Sequence, residues 1–382
     1  LKSIQNECKN KQFIWSYFLL FVPIFLFFLL KIKRISTSIR ARNYRKQNNN
    51  SIFVVQFFLK PKVKKVIFFL LFSIISTQLH SQKKMITPPF LQPGDTVAIV
   101  STARKNIEDN LKPTIAMLEG WGLKVKLGKT IGLDYYQLAG TDDQRAEDFQ
   151  EQLDNPNIKA IWCVRGGYGT VRIIDKLDFT KFKQNPKWII GFSDVTVLHS
   201  HLNRMGFQSI HGIMPVSVAR ATDEAKNSLC TALFGDKLEY ELDCDALNHV
   251  GKAKGELVGG NLSILYSLLG SESAIDCEDK ILFIEDLDEY MYHIDRMMMN
   301  LKRNGCLSSL KGIIVGGMTD MKDNEIPWGK NALEIIEETI KGLNIPVIYN
   351  FPAGHIRDNR ALIFGKQITM EVTAEKSKIT FE

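Results

Sequence analysis

Ser193 lies in Gly191-Phe192-Ser193-Asp194, after the apolar run Trp188-Ile189-Ile190 and ahead of Val195-Thr196-Val197-Leu198-His199. The first run reads as the end of a strand and the last as the start of a helix. A serine on such a turn projects its hydroxyl outward, and the backbone N–H groups beside it can receive an oxyanion. That is the chemistry of a nucleophile. The position also suits a serine that caps the following helix, with Asp194 assisting, and the local residues leave both readings open. A nucleophilic serine needs a base and a group that orients the base.

Candidates for both lie far along the chain. His355 follows the strand Val347-Ile348 and a turn holding Pro352, and a histidine in a glycine-preceded loop has the setting of a general base. His199 and His201 sit on the helix after Ser193, well away from its N-terminus. His211, His249 and His293 complete the set beyond His80, and for any single histidine a structural role is the alternative. Glu285, in Ile284-Glu285-Asp286, ends an apolar strand, where a carboxylate can orient a histidine. A solvated strand end is its alternative. Asp286, Asp288 and Glu289 crowd the same loop and make a cation site a further one. No His or Cys stands at metal-ligand spacing, so no metal is expected. The loop Arg165-Gly166-Gly167-Tyr168-Gly169 follows a strand and opens a helix, and can either cradle an anion or contribute an oxyanion hole beside Ser193. It matches neither glycine-rich nucleotide fingerprint, and no cofactor is implied.

The elements that must position these residues alternate. Short apolar strands at 95–100, 124–127, 160–164 and 187–192 are separated by helices at 112–120, 142–154 (capped by Thr141) and 170–177. Such alternation implies an α/β fold with a parallel sheet and helices on its faces. Regularity fades across 216–250, which reads as a connection. A second unit, 251–382, holds strands at 280–285, 312–317 and 346–348, helices at 292–304 and 331–342, and two β-rich runs near the end. The chain of 382 residues has room for both units.

Charge is unevenly placed. Residues 1–84 hold 16 Lys/Arg and one acid, so the overall +7 leaves −8 for residues 85–382. An acidic globular part argues against a nucleic-acid partner. The basic segment carries two signals. Phe13 to Leu30 is almost wholly apolar with a basic flank, the pattern of a membrane-spanning helix. Lys64-Lys65, the apolar run 66–75 and the polar stretch through Gln82 make a secretory signal peptide over 63–84. The expectation is translation from near Val63, export to the periplasm or cell envelope, and membrane contact only through the N-terminal segment if that is retained; without the signal the chain is cytoplasmic. Of six cysteines, Cys163 reads as a buried small hydrophobe, and no disulfide framework is expected because the five in the exported part leave one unpaired.

Taken together, several stretches resemble the LD-carboxypeptidase (muramoyltetrapeptide carboxypeptidase) family of serine peptidases, from about residue 86 to 380. They are Pro93 to Ala98, Leu138 to Arg145, Arg165 to Gly169, Gly191 to Thr196, Gly259-Gly260-Asn261-Leu262, Phe283 to Asp286, Tyr292 to Met297, and Gly354-His355 with Asn359 and Gly365. The resemblance implies a flavodoxin-like N-terminal domain over 86–215 and a smaller, strand-rich α/β C-terminal domain. It implies Ser193 as nucleophile, His355 as base and Glu285 as its orienting carboxylate, with oxyanion donors at the Asp194 N–H and at Gly167. The substrate implied is a murein tetrapeptide that loses its terminal D-alanine; a carboxypeptidase must bind the terminal carboxylate, and Arg165 suits it as a bidentate partner, with a structural salt bridge as the alternative. A homodimer is compatible with this reading. Two alternatives stand beside it: a microcin C immunity-like peptidase that cleaves peptidyl-nucleotide amides, and a murein-binding protein without catalysis.

Overall fold

The computed structural model describes residues 85–382. The apolar segment 13–30, the signal 63–84 and Cys8 lie outside the described residues. Among the described residues no helix is long and apolar enough to cross a membrane.

The chain first lays down β1 (Thr96–Val100), β2 (Lys124–Leu127), β3 (Ile158–Cys163), β4 (Trp188–Gly191) and β5 (Ser209–His211). These run parallel in the order β2-β1-β3-β4-β5. That is the flavodoxin-like order, in which ligands gather at the carboxyl ends of the strands. The second sheet is built from β6 (Glu239–Asp243), β7 (Gly251–Asn261), β8 (Lys280–Leu287), β9 (Gly312–Thr319) and β10 (Val347–Ile348). After β11 (Leu362–Phe364), β12 (Gln367–Val372) and β13 (Lys376–Phe381) complete it. Its order is β10-β9-β8-β7-β12-β13-β6, parallel from β10 to β7 and antiparallel from there on.

Strand periodicity divides the apolar residues between cores. Val97 and Ile99 of β1, Trp162 of β3 and Ile190 of β4 enter a core shared by both sheets, joined there by Ile281 and Phe283 of β8. The alternate residues Ala98, Val100, Ile161 and Ile189 pack beneath the helices of the first sheet. Leu282 and Ile284 pack beneath those of the second. Sheets covered on both faces explain why these strands read as continuous apolar runs. The same parity carries Glu285 toward the shared core, where it is fully buried.

Close contact between the halves depends on Gly260. A Cβ there would stand 2.5 Å from Thr196 Oγ1, at the start of the helix Thr196–Met205 that follows Ser193. Next to it the Asn261 N–H donates to the same hydroxyl at 3.0 Å. The second sheet is thereby docked onto the element that carries the serine.

Four expectations need correction. Residues 170–177 form two 3-10 turns, Thr170–Arg172 and Ile174–Lys176, rather than one helix: the N–H groups of Arg172, Ile173 and Lys176 each bond to the carbonyl three residues back. Residues 216–250 are not a bare connection: they carry a helix, Asp223–Phe234, whose Ala225 and Leu229 enter the shared core, and the edge strand β6. The run 362–364 leaves the second sheet and pairs antiparallel with β5 of the first. Finally, Cys277 and Cys306 form a disulfide. An odd number of cysteines precludes complete pairing, not a single bridge; Cys163, Cys230 and Cys244 are free.

Candidate active site

Ser193 sits directly beyond the carboxyl end of β4 with φ 63°, in the left-handed region. A non-glycine residue there costs about 1–3 kcal/mol and persists only where its surroundings hold it. The hydroxyl caps nothing: neither the 3-10 turn Ser193–Val195 nor the following helix has a side-chain cap. Instead Ser193 Oγ lies 3.0 Å from His355 Nε2.

The glycine loop is pressed against this turn. A Cβ on Gly166 would lie 2.9 Å from Ser193 Oγ and 3.2 Å from the Asp194 amide nitrogen, so only glycine fits. Gly167 is the next residue along, and its absent Cβ faces the side chain of Arg104. The Asp194 carboxylate is buried and accepts the Thr170 N–H at 2.8 Å, tying the turn to the end of the loop. Burial pushes its pKa upward against the hydrogen bonds from Thr170. Among the described residues no carbonyl accepts the Asp194 N–H. From behind, the fully buried Arg145 donates to the carbonyls of Thr102 and Gly169 at 2.6 and 2.9 Å and pairs with Asp142. It clamps the loops after β1 and β3 together. The capping box between Thr141 and Gln144 starts the helix that delivers it.

His355 arrives from the other half. Its Nδ1–H donates to Glu285 Oε2 at 2.6 Å, and its backbone N–H reaches the same oxygen at 3.2 Å. A carboxylate can only accept, so Nδ1 carries the proton and Nε2 presents a lone pair to the serine hydroxyl. Phe192 packs on the imidazole with ring centroids 4.8 Å apart. Gly354, at φ 108°, lets the loop close on the carboxylate, since a Cβ there would meet Glu285 Oε2 at 2.8 Å. Asn359 Oδ1 accepts the Gly354 N–H at 2.8 Å and faces His211 Nε2 at 3.2 Å, which fixes the loop from below.

Burial disfavours a charged His355 ring, but the Glu285 carboxylate more than offsets it, through its charge and its hydrogen bond. The His355 pKa is raised above 6.5. Such a serine, histidine and carboxylate can remove a proton from an attacking hydroxyl and return it to a leaving group.

Other expected residues fall outside this constellation. His199 is buried against the Gly191 carbonyl and Ser209, and burial pushes its pKa down to about 4. His201, His249 and His293 face Ser273, Glu337 and Glu289 respectively. Asp286 points away from Glu285's partners and accepts from Asn261 Nδ2 and the Ser263 N–H. Asp288 pairs with Lys322. Among the described residues no group of His, Cys, Asp and Glu could hold a metal ion. Arg165 is half-buried beside the loop, gives one long hydrogen bond to the Lys105 carbonyl at 3.3 Å, and pairs with no carboxylate of the described residues. Sequence reasoning gave no role of their own to Gly166, Arg145 or Asn359, the last two appearing only within the family-like motifs. The doubled glycine was the visible signal for the first; the others act through contacts that only the fold creates.

Comparisons with known proteins identify the family. The LD-carboxypeptidase N-terminal domain matches residues 97–212, and the LD-carboxypeptidase C-terminal domain matches residues 254–370. A probable murein peptide carboxypeptidase of Bacillus subtilis is 35% identical over 299 residues, covering 76% of this chain and 93% of its own length. The murein tetrapeptide carboxypeptidase of Pseudomonas aeruginosa is 33% identical, covering 73% and 94%. The crystal structure of muramoyltetrapeptide carboxypeptidase from Oxalobacter formigenes superposes with a TM-score of 0.69 at 26% identity, over 75% of this chain and 98% of that one. More distantly, a microcin C7 self-immunity protein of Escherichia coli is 26% identical over 75% of this chain and 93% of its own length. The chain belongs to the LD-carboxypeptidase family and is an enzyme of that family.

Proposed function

We propose that this protein is a serine carboxypeptidase that releases terminal D-alanine from murein tetrapeptides by hydrolysing an L,D-peptide bond through an acyl-enzyme. The observation that carries the mechanism is the continuous chain Ser193 Oγ, His355 Nε2, His355 Nδ1, Glu285 Oε2, with links of 3.0 and 2.6 Å. The names of the most similar relatives support the substrate.

In the first step His355 Nε2 takes the Ser193 proton as Oγ bonds to the carbonyl carbon of the penultimate residue, and the carbonyl electrons move onto oxygen. The Asp194 N–H and a glycine of the 165–169 loop, Gly167 in this assignment, hold that oxyanion in a site closed by Phe192 and Gly166. Preorganised donors of this kind are worth about 2.7–4 kcal/mol each. Collapse breaks the C–N bond, and His355 returns the proton to the departing amine of D-alanine. Water then attacks the ester, giving up a proton to His355, which passes it back to Ser193 Oγ as the acyl group leaves. Glu285 holds the tautomer and steadies the imidazolium throughout. Arg165, without a carboxylate of its own, is available to a carboxylate of the substrate.

The signal-peptide pattern read over 63–84, if used, supports action on murein outside the cytoplasm, in the periplasm or cell envelope; otherwise the enzyme acts in the cytoplasm. The distant relation to a microcin immunity protein supports a second reading, cleavage of a peptidyl-nucleotide amide. Incubation of the purified protein with tetrapeptide and, separately, with a peptidyl adenylate decides between them. D-Alanine release from the first and no cleavage of the second is the expected result. Cleavage of the adenylate alone would overturn the proposal in favour of the immunity reading. Binding of tetrapeptide without release would mark a murein-binding protein.

A further inference from the structure

A cavity of about 340 Å³ opens beside the reacting atoms, with His355 in its wall. Phe192 and Ile213 give it an apolar side, and Arg220, Arg357 and Asp320 give it charge. Neither guanidinium pairs with any carboxylate of the described residues; Arg357 spends only its Nε–H, on the Arg220 carbonyl at 2.9 Å. Two exposed cations against one acid leave the cavity with an uncompensated positive charge. The Arg220 charge is felt at both His355 and Arg165, opposing protonation of each after the larger effect of burial.

Which part of a substrate occupies this cavity follows from the proton's path. His355 Nε2 must hand its proton to the departing nitrogen, so the departing residue lies within hydrogen-bond reach of the imidazole. The acyl part then extends past the oxyanion donors toward the glycine loop, where Arg165 and Arg104 lie. A carboxypeptidase's departing residue differs from an internal residue by one free carboxylate. That anion needs a cation on the His355 side of the scissile bond.

We infer that the cavity lined by Arg220 and Arg357 is the subsite for the departing residue, and that these guanidiniums, rather than Arg165, bind its terminal carboxylate. The inference rests on the carboxypeptidase reading and adds the feature that limits cleavage to the last residue. A planar guanidinium gives the carboxylate paired, charge-assisted hydrogen bonds. The apolar wall suits a methyl side chain. The positive charge favours a residue that ends in a free carboxylate over a chain that continues beyond it.

The test compares a tetrapeptide ending in free D-alanine with the same peptide ending in D-alaninamide, by kcat/KM for release of the last residue. The wild type is expected to favour the acid by about 50-fold or more, the scale of a lost charge-assisted contact. In Arg220→Ala that preference collapses to within about 5-fold because only turnover of the acid suffers; Arg357→Ala and Arg220→Lys fall between. Arg165→Ala is expected to slow both substrates by a similar factor and keep the preference. An unchanged acid-to-amide ratio in both Arg220→Ala and Arg357→Ala, with the acid still cleaved by the wild type, overturns the subsite alone. So does a preference lost in Arg165→Ala instead. A wild type that releases neither D-alanine nor D-alaninamide overturns the carboxypeptidase reading and the subsite together.

Discussion

At the scale of single residues, His355 stands between an anion that favours its charge and a hydroxyl that needs its lone pair. Because Glu285 raises its pKa above 6.5, the base form is lost as pH falls through that raised value. The acid limb of kcat/KM therefore lies at higher pH than an ordinary imidazole would give. Glu285→Gln removes the charge while keeping the shape; burial then dominates and the limb moves to lower pH. The same change frees the ring to take the wrong tautomer, so kcat falls by about 10³–10⁴-fold. A pH–rate profile of the variant reads both effects, and an unshifted limb would deny Glu285 its role. Ser193, Glu285 and His355 were candidates in the sequence because each stands at a strand end or in a glycine-marked turn, and the family-like motifs around them singled them out from the other candidates. Their mutual distances were not legible, since 162 residues separate the serine from the histidine. The cap reading of Ser193 was equally consistent with its neighbours. It fails only because the turn adopts positive φ and aims Oγ at His355.

Elements convert those residues into a site. The loop after β10 is held by the Asn359 contacts and by the close approach of Gly354 to Glu285. Gly354→Ala places a methyl 2.8 Å from the carboxylate in a backbone conformation that L-residues rarely adopt. We expect kcat to fall at least 10-fold with a smaller change in KM, as a displacement of about 1 Å can cost 10²-fold; steady-state kinetics showing wild-type kcat would contradict this. Strands and long helices were visible as apolar periodicity and capping signals, Thr141 among them. The helix Asp223–Phe234 was not. Its buried stripe mixes Leu229 and Leu233 with the small or polar Ala225, Ser228 and Ala232, which dilutes the hydrophobic signal. Likewise 170–177 looked helical by composition, yet its N–H groups bond three residues back, Arg172 to Gly169 and Lys176 to Ile173, so it winds as two 3-10 turns.

For the whole molecule, the essential event is the meeting of two sheets that are each orthodox alone. The first delivers the serine and the glycine loop at the carboxyl ends of β4 and β3. The second supplies Glu285 from the end of β8 and His355 from the loop after β10. A shared apolar core and the contact at Gly260 hold them in register. The two-unit plan could be read from the alternation of strands and helices. The return of β11 to the first sheet could not, because a three-residue apolar strand carries no address. This division makes the central claim simple to test, since the proposed nucleophile and base come from different sheets and each can be removed singly. D-Alanine release from purified murein tetrapeptide should fall by 10³-fold or more in Ser193→Ala and in His355→Ala alike, with both variants folded and still binding the peptide. Release at the wild-type rate by either folded variant would contradict the account.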